Sequence, residues 1–183
     1  MTETVDIAAL SGIDQLRLGM TGGFIAPIAR TVGFELTEVE EGRVVFEAIP
    51  TTAVYNPLGT VHGGWIATVL DSACGCVVHS TLRPGQTYTT LELKTVFHKA
   101  LTAGTPVRAE GRIVQAGRRA AFSEADLRGL DGKLYATATS TCLLGGRSAR
   151  PGRQALCDRD LDLPGHGALR EAPRAASVCR ASL

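Results

Sequence analysis

The feature that most constrains the fold of this chain is an apolar stretch at residues 61–80, in which Asp71 is the single acidic side chain. Its length favours a helix over a strand, and we expect this helix to run from about Val61 to Ser80. A helix with so little polar surface must be covered by other parts of the chain. The rest of the sequence must therefore provide that cover.

The segments on both sides of this helix alternate apolar and polar residues as strands do. Residues 33–50 predict two strands that turn at Glu41-Gly42, and residues 118–144 predict two more that turn at Asp131-Gly132. Residues 106–117 predict another strand. Residues 87–101 alternate strictly, with one face formed by Leu91, Leu93, Thr95 and Phe97 and the other by Thr90, Glu92, Lys94 and Val96. With a short helix capped by Ser11, this order predicts an α+β fold in which an antiparallel sheet wraps around one long helix.

The composition of the chain changes after Leu144. Residues 145–183 contain seven Arg and four acidic residues but no apolar periodicity, which favours a flexible Arg-rich tail. We therefore expect an N-terminal helical segment at 1–29, one α+β domain at 30–144 and the tail at 145–183. A net charge of +1 gives no reason to expect nucleic acid or a membrane as partner, and the N-terminus lacks a signal-peptide pattern, so the cytoplasm is the expected location. Five unevenly spaced cysteines do not suggest a disulfide framework or a metal site.

Two features of the helix indicate chemistry. Burial of an unpaired carboxylate such as Asp71 costs several kcal/mol or raises its pKa, so either this group has a catalytic role or a neighbouring strand supplies a hydrogen bond. The second feature is His62-Gly63-Gly64, which leaves the first N–H groups of the helix open to a carbonyl oxygen that becomes an oxyanion. The alternative for these glycines is a plain tight turn.

The spacing of these features has a geometric consequence. Gly63 and Asp71 are about 12 Å apart along one helix, and His62 and Asp71 point in roughly opposite directions around its axis. One substrate carbonyl cannot contact both groups of the same helix. If both act on one substrate, two copies of the helix must lie antiparallel, as in a two-fold homodimer with two equivalent sites.

The spacing of Asn56, Gly59, His62-Gly63-Gly64 and Asp71, together with the strand residues 90–94, resembles the acyl-CoA thioesterases of the hotdog fold, in their PaaI-like branch from phenylacetate degradation. The resemblance covers residues from about 30 to 144. It implies hydrolysis of an acyl- or aryl-CoA thioester, with coenzyme A as part of the substrate and no separate cofactor. A homodimer, or a dimer of dimers, is implied as well.

The resemblance also implies roles for individual residues. Asp71 would be the general base or the nucleophile, the Gly63 N–H would polarise the carbonyl with Gly64 beside it, and His62 would support that loop. Asn56 would position water or the thioester across the dimer interface. A hydroxyl on the next strand would hold the attacking water, with Thr90 the better match and Thr89 the alternative.

The phosphates of coenzyme A require cations, and Lys99 and the Arg118-Arg119 pair are the candidates, although a solvated face would explain them equally well. Two other functions remain open. The first is an acyl-CoA binding or sensing module without turnover, in which a buried acid would have little use. The second is a hotdog dehydratase or hydratase, whose usual histidine and acid pattern is absent from this sequence.

Overall fold

The computed structural model describes residues 6–21 and 26–146 of the 183-residue chain. Within these ranges the α-helices are α1 (Gly12–Met20), α2 (Pro27–Val32) and α3 (Gly63–Ser80). The strands are β1 (Phe34–Glu40), β2 (Arg43–Ala48), β3 (Gln86–Phe97), β4 (Val107–Ala116), β5 (Ala120–Gly129) and β6 (Leu134–Gly146). Most of the predicted tail, from residue 147 on, lies outside the described residues.

The six strands form one antiparallel sheet in the order β1-β2-β4-β5-β6-β3. Helix α3 packs against this sheet and buries Val69, Leu70 and Val77 completely. The predicted α+β fold, with an antiparallel sheet around one long helix, is confirmed. Strand β3 lies at an edge, and it follows α3 directly along the chain.

Helix α3 approaches the sheet most closely at β4. A Cβ atom on Gly111 would lie 2.5 Å from the main-chain oxygen of Ala73, a distance at which atoms overlap. Glycine is therefore required at this crossing, because a side chain would push the helix away from the strand. The contact sets how closely α3 and β4 approach each other at this point.

The local predictions are largely confirmed. Ser11 caps α1 by accepting a hydrogen bond from the Asp14 N–H, and both predicted hairpin turns contain a glycine with positive φ, Gly42 at 79° and Gly132 at 79°. Helix α2 was not predicted from the sequence. Its C-terminal carbonyl at Val32 accepts a 2.9 Å hydrogen bond from the indole Nε1 of Trp65, which ties α2 to α3.

The predicted strict alternation of β3 is wrong, because the strand contains a bulge. Thr90 pairs with Cys142 and Glu92 pairs with Thr141, so Leu91 is an extra residue without a partner on β6. Since Cys142 is fully buried beneath α3, Thr90 lies on the helix side of the sheet rather than on the outer side with Glu92. The bulge thus adds one hydroxyl to the helix-facing side of an edge strand.

Candidate active site

The start of α3 is organised by His62. The helix begins at Gly63 rather than at the predicted Val61, because His62 has extended backbone angles and acts as the N-cap. Its Nδ1 accepts a 2.8 Å hydrogen bond from the Gly64 N–H. Gly64 was a candidate for substrate binding, but its N–H is already occupied. In residues 6–21 and 26–146, the Gly63 N–H has no hydrogen-bond partner and remains open to a ligand.

The loop before His62 is held by Asn56. The Asn56 side-chain oxygen accepts hydrogen bonds from the main-chain N–H groups of Leu58 at 2.9 Å and Thr60 at 3.3 Å, and its amide nitrogen donates to the Thr60 hydroxyl at 3.0 Å. The same loop is closed by a bridge between Tyr55 and Val61. Asn56 therefore shapes the segment that delivers His62 and Gly63, in addition to any contact it makes with substrate.

Gly63 also has a packing role. A Cβ atom at this position would lie 3.0 Å from the Cζ atom of Phe97, whose ring at the end of β3 covers the first turn of α3. The ring is half exposed and shields one side of the Gly63 backbone from water. The glycine thus combines an open N–H group with a close approach between α3 and β3.

Asp71 lies in the middle of α3, on the side reached by β3. Its Oδ1 atom is buried and has no hydrogen-bond partner among the residues described. Loss of contact with water raises the pKa of Asp71 above its ordinary value of 3.8. A raised pKa brings the carboxyl group closer to the range in which a general base works well at neutral pH.

The thiols near Asp71 are poor competitors for a nucleophilic role. Burial, with a smaller contribution from the nearby Asp71 charge, raises the pKa of Cys76 to about 12. The pKa of Cys74 is also raised to about 12, again chiefly by burial. Both cysteines are therefore neutral thiols at physiological pH, and the thiolate is the reactive form.

The two threonine candidates lie on opposite faces of β3. Thr90 faces α3, with its hydroxyl 4.0 Å from the Cys142 sulfur. Thr89 pairs with Leu143, which is exposed on the face that points away from the helix. Thr89 therefore faces away from α3 and Asp71, and Thr90 is the candidate hydroxyl on the helix side.

The structure does not bring the three candidate phosphate ligands together within one chain. Lys99 donates its main-chain N–H to Tyr135 at the start of β6, whereas the carbonyl of Arg119 accepts from Leu144 near the end of that strand. Nine residues of extended strand separate these points by about 30 Å. Lys99, Arg118 and Arg119 are all exposed, so each can meet an anion, but one copy of the chain cannot use all three on one phosphate.

Sequence reasoning missed a contact on the same side of α3. The hydroxyl oxygen of Tyr88, near the start of β3, lies 2.8 Å from where a Cβ atom on Gly75 would be. Gly63 and Gly75 are thus each covered by an aromatic ring of β3, and Asp71 lies between them on the helix. The sequence shows an aromatic residue and a glycine, but no pattern indicates that they meet.

The histidines other than His62 have protein partners where they are described. His79 contacts the Gln15 side chain at 3.2 Å, and His98 contacts the Thr137 hydroxyl at 3.0 Å. His166 lies outside the described residues. In residues 6–21 and 26–146, no group of three or more His, Cys, Asp or Glu side chains could hold a metal ion. No helix in those ranges combines the length and apolarity needed to cross a bilayer.

Comparison with known proteins agrees with this geometry. A sequence profile described as the thioesterase superfamily matches residues 58–136, which include Gly63 and Asp71. No protein in a search of curated sequences matches the chain.

Solved structures give longer matches. A phenylacetic acid degradation-related protein from Ralstonia eutropha is 32% identical, with a TM-score of 0.64 over 69% of this chain and 97% of that one. A Streptococcus mutans protein bound to acetyl-CoA is 27% identical, with a TM-score of 0.59 over 63% of this chain and 90% of that one. The E. coli PaaI protein shares the fold at 18% identity, with a TM-score of 0.66 over 74% of this chain and 95% of that one. The chain belongs to the thioesterase superfamily, in its PaaI-like hotdog branch, and is a thioester hydrolase.

Proposed function

We propose that this protein hydrolyses an acyl- or aryl-CoA thioester to the free acid and coenzyme A, at a site formed by two copies of the chain. The observation that carries the proposal is the pair of unpartnered groups on α3, the Gly63 N–H and the Asp71 carboxyl. A hydrogen-bond donor at a helix N-terminus and a carboxylate of raised pKa are the two groups that water attack on a thioester needs.

The distance along α3 supports a homodimer. Gly63 and Asp71 are eight residues apart on one helix, or about 12 Å, too far to contact one carbonyl. A two-fold axis that sets two α3 helices antiparallel would bring Gly63 of one copy to Asp71 of the other. Strand β3 suits this pairing, because it is a long edge strand with Leu91, Val96 and Phe97 exposed on or beside it.

The reaction follows from these positions. The Gly63 N–H of one copy, presented by the His62 cap and the Asn56 loop, would polarise the thioester carbonyl. Asp71 of the other copy would accept a proton from water as the water oxygen bonds to the carbonyl carbon, and Thr90 would help to hold that water. The carbon–sulfur bond then breaks, and the proton passes from Asp71 to the departing sulfur. The products are a carboxylic acid and the free thiol of coenzyme A, and no separate cofactor takes part.

The same symmetry would assemble a phosphate site. If β3 pairs antiparallel with β3 of a second copy, the end of β3 in one copy lies beside the start of β3 in the other. Lys99 of one copy would then approach Arg118 and Arg119 of the other, so that cations about 30 Å apart in one chain could meet one coenzyme A molecule. The acetyl-CoA bound by the Streptococcus mutans protein supports this ligand class for the present chain.

Thiol release from a panel of acyl- and aryl-CoA thioesters tests the proposal. We expect release by the wild-type protein and a fall of at least ~100-fold in kcat for Asp71→Ala. Glu40→Gln, which changes an exposed acid at the end of β1, is the matched control and should retain activity. An inactive wild type that still binds the thioesters would favour the binding or sensing module, and water addition to an enoyl thioester would favour a hydratase.

Two further measurements separate the remaining alternatives. A single turnover in heavy-oxygen water places the label in the Asp71 side chain if this residue is the nucleophile, and only in the acid product if it is the general base. Mass measurement in solution distinguishes a dimer from a dimer of dimers. Turnover by a monomer at full specific activity would contradict the shared site.

A further inference from the structure

Tyr88 is a polar group on the Asp71 side of α3 that the mechanism above does not use. Its ring lies against α3 at Gly75, and the edge of the His79 ring packs on it with centroids 5.8 Å apart. In the described part of the chain, the Tyr88 hydroxyl has no hydrogen-bond partner. The residue is half-buried, and its hydroxyl can donate and accept hydrogen bonds with a water molecule or a ligand.

The helix geometry places this hydroxyl close to Asp71. Asp71 and Gly75 are four residues apart, so their Cβ positions lie about 5–6 Å from each other on one face of the helix. The Tyr88 oxygen is 2.8 Å from the Gly75 Cβ position, and the Asp71 carboxyl extends from the neighbouring one. The two groups therefore lie on one face of α3, about one turn apart, and the Asp71 charge is close enough to contribute to the raised pKa of Tyr88.

The protonation states around this space are fixed by burial. Burial, and to a smaller extent the nearby Cys76, Cys142 and Asp71, raises the pKa of Tyr88, so that the phenol stays neutral. Burial also lowers the pKa of His79, so that no cation lies beside the phenol at neutral pH. Cys74 and Cys76 are also held as neutral thiols at physiological pH.

We propose that Tyr88 is a positioning residue for the attacking water, which it holds together with Asp71. The water donates one hydrogen bond to the Asp71 carboxylate and the other to the Tyr88 oxygen. Both lone pairs of the water then remain free, and one faces the substrate carbonyl. This arrangement rests on the proposed function, and it assigns Gly75 the role of making room for the phenol.

The variant Tyr88→Phe tests the proposal, because it removes the hydroxyl and keeps the ring on Gly75. We expect kcat to fall about 10- to 100-fold, less than the ~100- to 10,000-fold that a general base contributes, with KM and Tm nearly unchanged. Tyr135→Phe, which removes a phenol hydroxyl from a buried ring at the start of β6, is the matched control and should retain full kcat. A second variant, Gly75→Ala, displaces the phenol oxygen without deleting it and should lower kcat in the same way.

The titration of Asp71 does not depend on turnover, so it tests the role of Tyr88 separately from the proposed thioesterase activity. Carbon-13 NMR of labelled aspartate follows the titration of Asp71 in the wild-type protein and in Tyr88→Phe. Loss of the bridged water leaves the carboxylate less well solvated, so the Asp71 pKa should rise further in the variant. If the Asp71 pKa rises in Tyr88→Phe but the wild-type protein has no thioesterase activity, the Tyr88 contact is supported and the proposed function is overturned. Unchanged kcat and an unchanged Asp71 titration in an active protein would overturn the role of Tyr88.

Discussion

The acids on the two faces of the sheet have opposite surroundings. On the outer face, Arg43 donates to Glu38 at 2.8 Å and to Glu110 at 3.2 Å, and Arg112 donates to Glu110 at 3.0 Å. The hydrogen bond from Arg43 is the main cause that holds the pKa of both Glu38 and Glu110 below its usual value. On the helix face, Asp71 has no such partner, and burial raises its pKa.

This difference separates two uses of a carboxylate. The outer acids are ionised, hydrogen-bonded and matched by arginines on neighbouring strands, so they stabilise the strand order β1-β2-β4-β5. Asp71 contributes nothing comparable to the fold, because its charge is buried without a counter-charge. A group that costs stability where it stands is a strong candidate for chemistry. The same substitutions and pH titrations, applied to Asp71 and to Glu110, test this difference.

The largest expected effect is on the pH dependence of turnover. A general base must be ionised, so kcat should rise with pH and reach a plateau above the Asp71 pKa. Below that pKa, the rate should fall about tenfold for each pH unit. The midpoint should lie above 3.8, the ordinary value for aspartate. A rate that stays flat down to the ordinary aspartate value would contradict the role of Asp71, and Glu110→Gln should leave the midpoint unchanged.

A smaller effect with opposite signs is expected on stability at neutral pH. The pKa of Asp71 is higher in the folded protein than in the unfolded chain. Ionisation of Asp71 therefore destabilises the folded state, and this loss of stability develops as the pH rises from the unfolded pKa to the folded pKa. Asp71→Asn removes that charge and should raise Tm. Glu110 has a lowered folded pKa and stabilises the protein above its unfolded value, so Glu110→Gln should lower Tm. Each change should be about 1 kcal/mol, or ~2–4 °C, measured by thermal unfolding at pH 7. Shifts of the same sign would contradict the contrast.

The smallest effect is expected in the acid range. The pKa of Glu38 and that of Glu110 lie below 4.5 in the folded protein. Ionised Glu38 and Glu110 therefore stabilise the folded state above pH 4.5, and this stabilisation is lost as the pH falls below 4.5 and through their folded pKa. Urea unfolding at pH 6 and at pH 3 should show this loss. The loss should be smaller in Glu110→Gln, which no longer has the group that titrates. An equal acid dependence in both proteins would mean that the arginines do not stabilise these acids.

The sequence predicted the parts of the fold that depend on local patterns. The strands, the α3 helix and the turns at Gly42 and Gly132 follow from alternation, apolar length and turn chemistry. The bulge at Leu91 was not predictable. Alternation of residue types cannot show where one strand has an extra residue that pairs with none on the neighbouring strand. Helix α2 is six residues long, too short to give a clear periodicity.

Residue type and spacing predicted where some of the candidate residues lie in the fold. The sequence indicated that Asp71 and Gly63 lie on one helix, too far apart for one substrate. It could not indicate that His62 occupies the Gly64 N–H, that Thr89 faces away, or that Tyr88 lies on Gly75. Each of these depends on side-chain direction or on contacts between distant segments, which only the folded chain defines.

The two edges of the sheet differ in a way that limits how this protein can assemble. The β1 edge has seven residues and carries Glu35, Glu38 and Glu40, and a short edge with charged side chains discourages pairing with a further strand. The β3 edge has twelve residues and exposed apolar side chains. If β3 pairs with β3 of a second copy, as proposed, the short β1 strand would lie at both outer edges of the joined sheet. Such a pair would offer no second long edge to a further copy, which would protect it against open-ended fibre formation.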